Sequence, residues 1–462
     1  MPDHCALDDR EKDYHAPRDA PFPPLAFLDG LITWVRLRLG YHLLFRVLSR
    51  PGWLLVLRYV FALIRRRRPI SRIFGLVIPS RHADVCEALT RSQDFNTAEA
   101  MVPRLPMGPM LQAIDWPARH RAERQAIEAA FACTNKDDYG HLRAIVTERL
   151  DRELPDGDQV TIDVASALTE EVALDVAIRY FGIGDWDRHQ QGAEREHLRH
   201  ILRRLASQIF RAPPADTAEA GEVQFAKQDL HQLAEASANR IAAAPAPGPA
   251  DTVLAHLLHA AHNPNPPWHT RDWAIRNAAS LAVFGTATTA RALTQSIYWI
   301  LRKDGGAVAE DAAAAYLADP QNAKHRTALR MIALEGLRFN PMLPILGARS
   351  CLRDTALSLG TDARMIVKSG EVVLPSPLAA MFDPCVFRCP DAFRPDRREE
   401  SAYLHFGHGP HLCVGKRQAE IQFEETLARL FRYPGLRVLG GCQGRIAYDG
   451  PAVDRFVVTN HA

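Results

Sequence analysis

Phe406-Gly407-His408-Gly409-Pro410-His411-Leu412-Cys413-Val414-Gly415, followed by a helical pattern from Lys416 to Arg432, decides the reading of this 462-residue sequence. Two glycines and a proline before a cysteine make a tight loop, and the cysteine then falls where a helix begins. Backbone N–H groups and the helix dipole at such a start favour thiolate over thiol. A lone cysteine is more often inert packing. Here the loop before it and the helix after it give it the setting of a ligand.

The loop resembles that of the cytochrome P-450 family, F-G-x-G-x-H-x-C-x-G, with every fixed position present between Phe406 and Gly415. The resemblance runs from about Ile73 to the last residue. It implies haem b, iron protoporphyrin IX, with Cys413 as the axial metal ligand; such a thiolate pushes electron density through iron and favours O–O cleavage. His411 then reaches a haem propionate. The implied fold is mainly α with a small β region: a triangular helical body with haem between a long central helix and the helix after Cys413.

Other segments extend the resemblance. Glu335-x-x-Arg338 matches the family's glutamate-arginine pair, although Glu196-x-x-Arg199 has the same spacing and such pairs are weak signals by themselves. Phe339, Pro341, Pro344 and Arg349 follow only the first pair, and the resemblance makes Arg349 a propionate ligand. Asp383-Pro384, Phe387, Pro390 and Phe393 to Arg397 resemble the family's meander, where Arg397 completes the Glu335/Arg338 network. Cys385 and Cys389 lie in that stretch without a CxxC spacing or a histidine partner, so they read as packing residues. In Trp116-Pro117-Ala118-Arg119-His120, with Arg124 four residues on, His120 and Arg124 share a helical face and are implied propionate contacts.

The central helix, expected over Thr270 to Arg302, holds a departure. Family members show A/G-G-x-D/E-T-T; this chain has Phe284-Gly285-Thr286-Ala287-Thr288-Thr289. Gly285 and Thr288 are kept as catalytic-site residues. Ala287 stands where the acid of a proton relay belongs, and a methyl group cannot exchange a proton. Either another carboxylate or a water chain substitutes, or dioxygen is not split by the usual route.

Composition narrows the rest. Hydrophobic residues make up 47% and charged residues 24%, ordinary for a globular chain. Fifty-six basic against 54 acidic residues give a net charge of +2, which offers no whole-molecule field for nucleic acid. Eight cysteines scattered through the chain are not a disulfide framework. The polar start, Met1 to Pro24, lacks the order of a secretory signal, so the expected location is cytoplasmic. Residues 25–72 interrupt apolar runs with arginines, including the block Arg65 to Arg68. No run reaches the ~20 residues of a membrane span. This arm, 1–72, reads either as helices packed on the protein's own core or as a basic amphipathic element on the inner face of the membrane, ahead of a catalytic domain at 73–462. A short β run is expected at Ile73 to Ile78, strands and hairpins at 354–376, and surface linkers at Ala243 to Pro249 and Asn263 to Pro267.

The family implies a monooxygenase, an oxidoreductase that inserts oxygen into an apolar small-molecule or lipid-like substrate. No G-x-G-x-x-G stretch or cysteine cluster supplies a fused redox module, so a separate ferredoxin- or flavodoxin-type donor is expected. Arg119, Arg121, Lys416 and Arg417 are candidates for its basic docking patch. Two alternatives stay open: a peroxide-using haem-thiolate enzyme (a lipid hydroperoxide isomerase or a peroxygenase), which fits Ala287, and a haem protein without catalysis.

Overall fold

The sequence pattern of caps, prolines and apolar periodicity resolves into α1 (Pro51–Arg67), α2 (Pro117–Thr134), α3 (Gly140–Glu153), α4 (Glu170–Asp175), α5 (Gly192–Arg211), α6 (Arg271–Arg302), α7 (Ala323–Arg338) and α8 (Lys416–Leu430), among other helices. This computed structural model describes residues 51–462 except 74, 98–100, 136–138, 212–217, 244–250, 263–265, 267, 359–363, 398, 442–443, 450–451 and 462. The expected linkers at 243–249 and 263–267 and the apolar runs of 25–50 therefore fall wholly or mostly outside the described residues.

The long helix α6 starts where the sequence puts its cap: the Thr270 side chain accepts from the Trp273 N–H, and Asp272 stands in the first turn. Its buried residues, from Trp273 to Ile300, lie on nearly every side, as expected of a helix through the centre of a domain. It packs against α4, α5, α7 and α8. The α6–α7 crossing is unusually close, because a Cβ on Gly336 would stand 2.7 Å from the Ser296 carbonyl oxygen. The Ser296 hydroxyl closes the crossing by donating to the Ala333 carbonyl at 2.7 Å.

The β region is small. One sheet holds β1 (Ile70–Ile73), β2 (Leu76–Pro79), β3 (Phe95–Asn96), β4 (Arg349–Cys351) and β5 (Val372–Val373) in the order β1-β2-β5-β4-β3. β2 and β5 pair in parallel and the other neighbours antiparallel. The short β run expected at Ile73 to Ile78 is found as the end of β1 and most of β2, joined by a tight turn in which Gly75 takes a φ of +77° and reverses the chain. Hairpins within 354–376 appear as expected, with Thr355–Leu357 paired to Met365–Val367.

The position 72/73 falls inside β1. Helix α1 is tied to the same unit through two arginines that the sequence shows only as part of a basic face. The Arg65 guanidinium is buried and donates to the carbonyls of Ser80, Phe382 and Ala379. Arg58 is buried with its guanidinium 4.5 Å from the centre of the Phe382 ring. Arg66, Arg67 and Arg68 point outward. Cys385 and Cys389, expected to pack, are exposed. Cys389 occupies a left-handed turn, φ +49°, whose carbonyl accepts from Arg397, so its backbone is used and its side chain is left outside.

Candidate active site

The cysteine loop is shaped by its glycines. Gly407 and Gly409 have φ values of +79° and +71°. A Cβ on Gly409 would come within 2.8 Å of Thr90 Cα. The loop closes through Cys413 N–H to the Phe406 carbonyl at 2.8 Å, and α8 begins three residues later. Cys413 is accessible, yet the protein crowded around it raises its thiol above the ordinary value by desolvation. The Gly415 N–H and the Arg124 charge pull the other way and do not win. A cation bound at this sulfur would add to that pull and favour the thiolate.

Near the loop lies a set of buried nitrogens without partners among the described residues: His120 Nε2, His411 Nδ1, and Nε and Nη1 of Arg349. Side chains at 120 and 411 meet with ring centres 4.6 Å apart. His411 Nε2 is 3.2 Å from Asp115 Oδ1, and Asp115 also accepts from the Thr97 N–H and hydroxyl. Burial, the neighbouring His411 and Arg124 hold His120 down to about 4, and burial lowers Arg349 to about 10. Buried donors without acceptors are costly by themselves, so this cluster is matched to an anion. The two carboxylates of haem b suit three such donors, and the residues present fit the group. Arg124, expected in this set, turns to the loop: its Nη1 donates to the Leu412 carbonyl at 2.6 Å and its Nε pairs with Glu128.

Glu335 and Arg338 lie at the end of α7, where Arg338 also donates to the carbonyls of Met381, Pro390 and Ala392. Arg397 Nε is 3.2 Å from Glu335 Oε2, which brings the three expected network residues together. Two further partners escaped the sequence: the Tyr403 hydroxyl donates to Glu335 at 2.7 Å, and the Arg394 N–H at 2.9 Å. Burial works to raise the Glu335 carboxyl, but hydrogen bonds and charge from Arg338, with help from Tyr403 and Arg394, hold it below the usual value. In contrast, Glu196 is 65% exposed where it meets Arg199.

On α6, Thr288 donates from its hydroxyl to the Phe284 carbonyl at 2.7 Å, and Thr286 to the Ala282 carbonyl at 2.7 Å. A Cβ on Gly285 would come within 3.2 Å of the Phe181 ring. Of the basic residues read as a docking patch, Arg119 pairs with Glu123, Lys416 with Glu400 and Glu420, and Arg417 with Glu424. Much of that charge is therefore neutralised locally.

A cysteine in a glycine loop at a helix start, a cluster of anion donors beside it and a long helix carrying Gly285 and Thr288 make up the arrangement that a haem-thiolate site needs. The cytochrome P450 family profile matches residues 221–438. Cytochrome P450 105C1 of a Streptomyces species is 32% identical over 191 residues, 41% of this chain and 44% of that protein. A bifunctional dioxygenase-epoxy alcohol synthase of Pyricularia oryzae is 32% identical over 115 residues, 25% of this chain and 10% of that protein. The matches thus span less than half the length of these relatives. Among solved structures, the LnmA cytochrome P450 hydroxylase from the leinamycin biosynthetic pathway of Streptomyces atroolivaceus superposes with a TM-score of 0.65 at 23% identity, covering 86% of this chain and 95% of that one. Cytochrome P450 TbtJ1 gives a TM-score of 0.67 at 22% identity over 87% and 96%. The chain has the cytochrome P450 fold, residues 221–438 match that family's profile, and the donor set described above fits the family's cofactor, haem b.

Proposed function

We propose that the protein is a monooxygenase that inserts one oxygen atom from dioxygen into an apolar small-molecule or lipid-like substrate, with electrons from a separate ferredoxin- or flavodoxin-type donor. One observation carries the reading: Cys413, at the end of a glycine-shaped loop, lies near buried His120, His411 and Arg349, whose free nitrogens await an anion. Haem bound there supplies the dioxygen and electron chemistry that no side chain offers. The net change is R–H, O2, two electrons and two protons to R–OH and water.

The chain's own groups do the rest. Cys413 Sγ is the iron ligand, and Arg349, His120 and His411 donate to the propionates. Glu335, Arg338 and Arg397 hold the segment between α7 and the cysteine loop. Gly285 keeps α6 thin beside Phe181, while Thr288, its hydrogen committed to Phe284, keeps lone pairs free to accept a proton donor. Protein supplied with a ferredoxin-type donor and apolar compounds that shift its haem spin state should consume dioxygen and release hydroxylated product. Turnover with hydrogen peroxide alone, and none with the donor, would replace this reading with the second one. That second reading, a peroxide-using enzyme, is favoured by Ala287 and by the partial likeness to the epoxy alcohol synthase.

We also infer that the protein is cytoplasmic and that α1 rests on an anionic lipid surface at the inner face of the membrane. Leu55, Val56, Tyr59, Val60 and Leu63 are exposed along the helix, and Arg66 to Arg68 follow. Apolar area beside lysine- or arginine-rich ends suits the plane of a bilayer. Among the described residues no helix is long and apolar enough to cross one.

A further inference from the structure

The acid missing at position 287 has a neighbour that no motif marks. Ala287 opens onto a cavity between the start of α4, α5 and α6, and Glu170 lines the same cavity. The cavity leaves about 30 Å³ for the centres of water-sized molecules. One ordered water needs ~10–15 Å³ and two to four polar partners, so a short file of about two waters fits. Thr169, Thr286 and Thr294 on its wall join Glu170 as partners. The hydroxyls of Thr169 and Thr294 are 2.8 Å apart and fix the start of α4 against α6.

Two arginines of α5 line this point and pair with the start of α4. Arg203 grips Glu170 with Nε to Oε1 at 2.6 Å and Nη2 to Oε2 at 2.7 Å. Arg199 Nε lies 3.4 Å from Oε2. Arg203 is 26% exposed and reaches Asp454 at 3.9 Å, so the outer end of the cluster meets bulk water. Arg291 of α6 lines the inner wall. The arrangement therefore runs from solvent, past a carboxylate held by two guanidinium groups, to the face of α6 that carries Thr286 and Ala287, the residue before Thr288.

We propose that Glu170, positioned by Arg203 and Arg199, takes over the proton-supplying role of the carboxylate absent at Ala287 and works through water in this cavity toward Thr288. The proposal rests on the monooxygenase reading. Each proton that leaves the Glu170 carboxyl along the water file is replaced from bulk solvent, and two such protons per turnover balance the two electrons from the donor protein. The Glu170 carboxylate ends each cycle unchanged.

The test uses haem-loaded Glu170→Gln, which keeps the side-chain shape and an acceptor for Arg203 but cannot exchange a proton. Product formed per electron consumed should fall about tenfold, a cautious fraction of what general acid–base groups supply. Ala287→Asp added to this variant should restore much of it. Independently of turnover, the infrared C–O stretch of the reduced carbon-monoxide complex, which senses hydrogen-bond donors around Thr288, should shift in Glu170→Gln and return toward wild type in the double variant. If Glu170→Gln loads haem poorly, Glu170→Gln with Arg203→Gln removes both charges and is read in the same way. An unmoved C–O band with unchanged coupling overturns the role of Glu170, as does a loss that Ala287→Asp fails to rescue. If wild type uses only peroxide, the monooxygenase reading fails, and the C–O band still decides whether Glu170 is connected to the site.

Discussion

Arg338 and Glu335 form a two-pronged ion pair, Nη2 to Oε1 at 2.8 Å and Nε to Oε2 at 2.9 Å, with neither side chain exposed. Removing one partner leaves the other charge buried without its counterion, which typically costs ~3–5 kcal/mol. Glu335→Ala or Arg338→Ala should therefore give little haem-loaded protein. Glu196→Ala, at an exposed pair worth about 0–1 kcal/mol, should express and load haem like wild type. Haem absorbance per milligram of purified protein checks both, and equal losses at the two sites would remove the distinction.

Acid should weaken the fold from two directions. The folded Glu335 carboxyl lies below its unfolded value, so its contribution is present above about pH 4.5 and is lost as pH falls through the folded value. His405, whose Nε2 lies 2.9 Å from the Leu334 carbonyl, is held by burial down to about 4. Below pH 6.5 the unfolded chain binds a proton there that the folded one refuses, so stability falls by up to about 1.4 kcal/mol per pH unit until pH reaches about 4. His405→Gln should flatten the loss between pH 6.5 and 4 in denaturant melts. A melting curve with the wild-type slope in that window would mean that residue 405 does not govern it.

Cys413→Ala should abolish the reduced carbon-monoxide Soret band characteristic of thiolate ligation. Cys385→Ala and Cys389→Ala, at exposed positions, should leave it intact. Survival of the band in the first variant would sink the ligand assignment.

Replacing Leu55, Tyr59 and Leu63 together with serine should lower binding to anionic vesicles while leaving haem loading intact, since all three side chains are exposed. Cosedimentation at rising salt separates the contributions: the arginine part weakens with ionic strength and the apolar part does not. Equal binding by variant and wild type would remove α1 from the contact.

What was legible in the sequence was local. The cysteine loop declares itself because glycines, proline and the following helix are consecutive, and α6 because its cap and uninterrupted pattern are. Glu335 and Arg338 were separable from Glu196 and Arg199 only by the residues that follow them. Partners brought together by the fold were not legible: Asp115 and His411 are 296 residues apart, Tyr403 and Glu335 are 68, and Arg203 and Glu170 are 33. Arg65 looked like part of a basic block because nothing nearby in sequence announces the carbonyls of Ala379 and Phe382 that bury it.

The placement of the thiols also governs how the protein must be handled. Among the described residues and apart from Cys413, the exposed thiols are Cys133, Cys385 and Cys389, whereas desolvation pushes Cys86 up to about 11 and also raises the buried Cys351. A thiol that stays protonated is a poor nucleophile. Among the described thiols, therefore, Cys133, Cys385 and Cys389 are the ones placed to cross-link between molecules stored without reductant, and a maleimide dye should mark them well before Cys86 and Cys351.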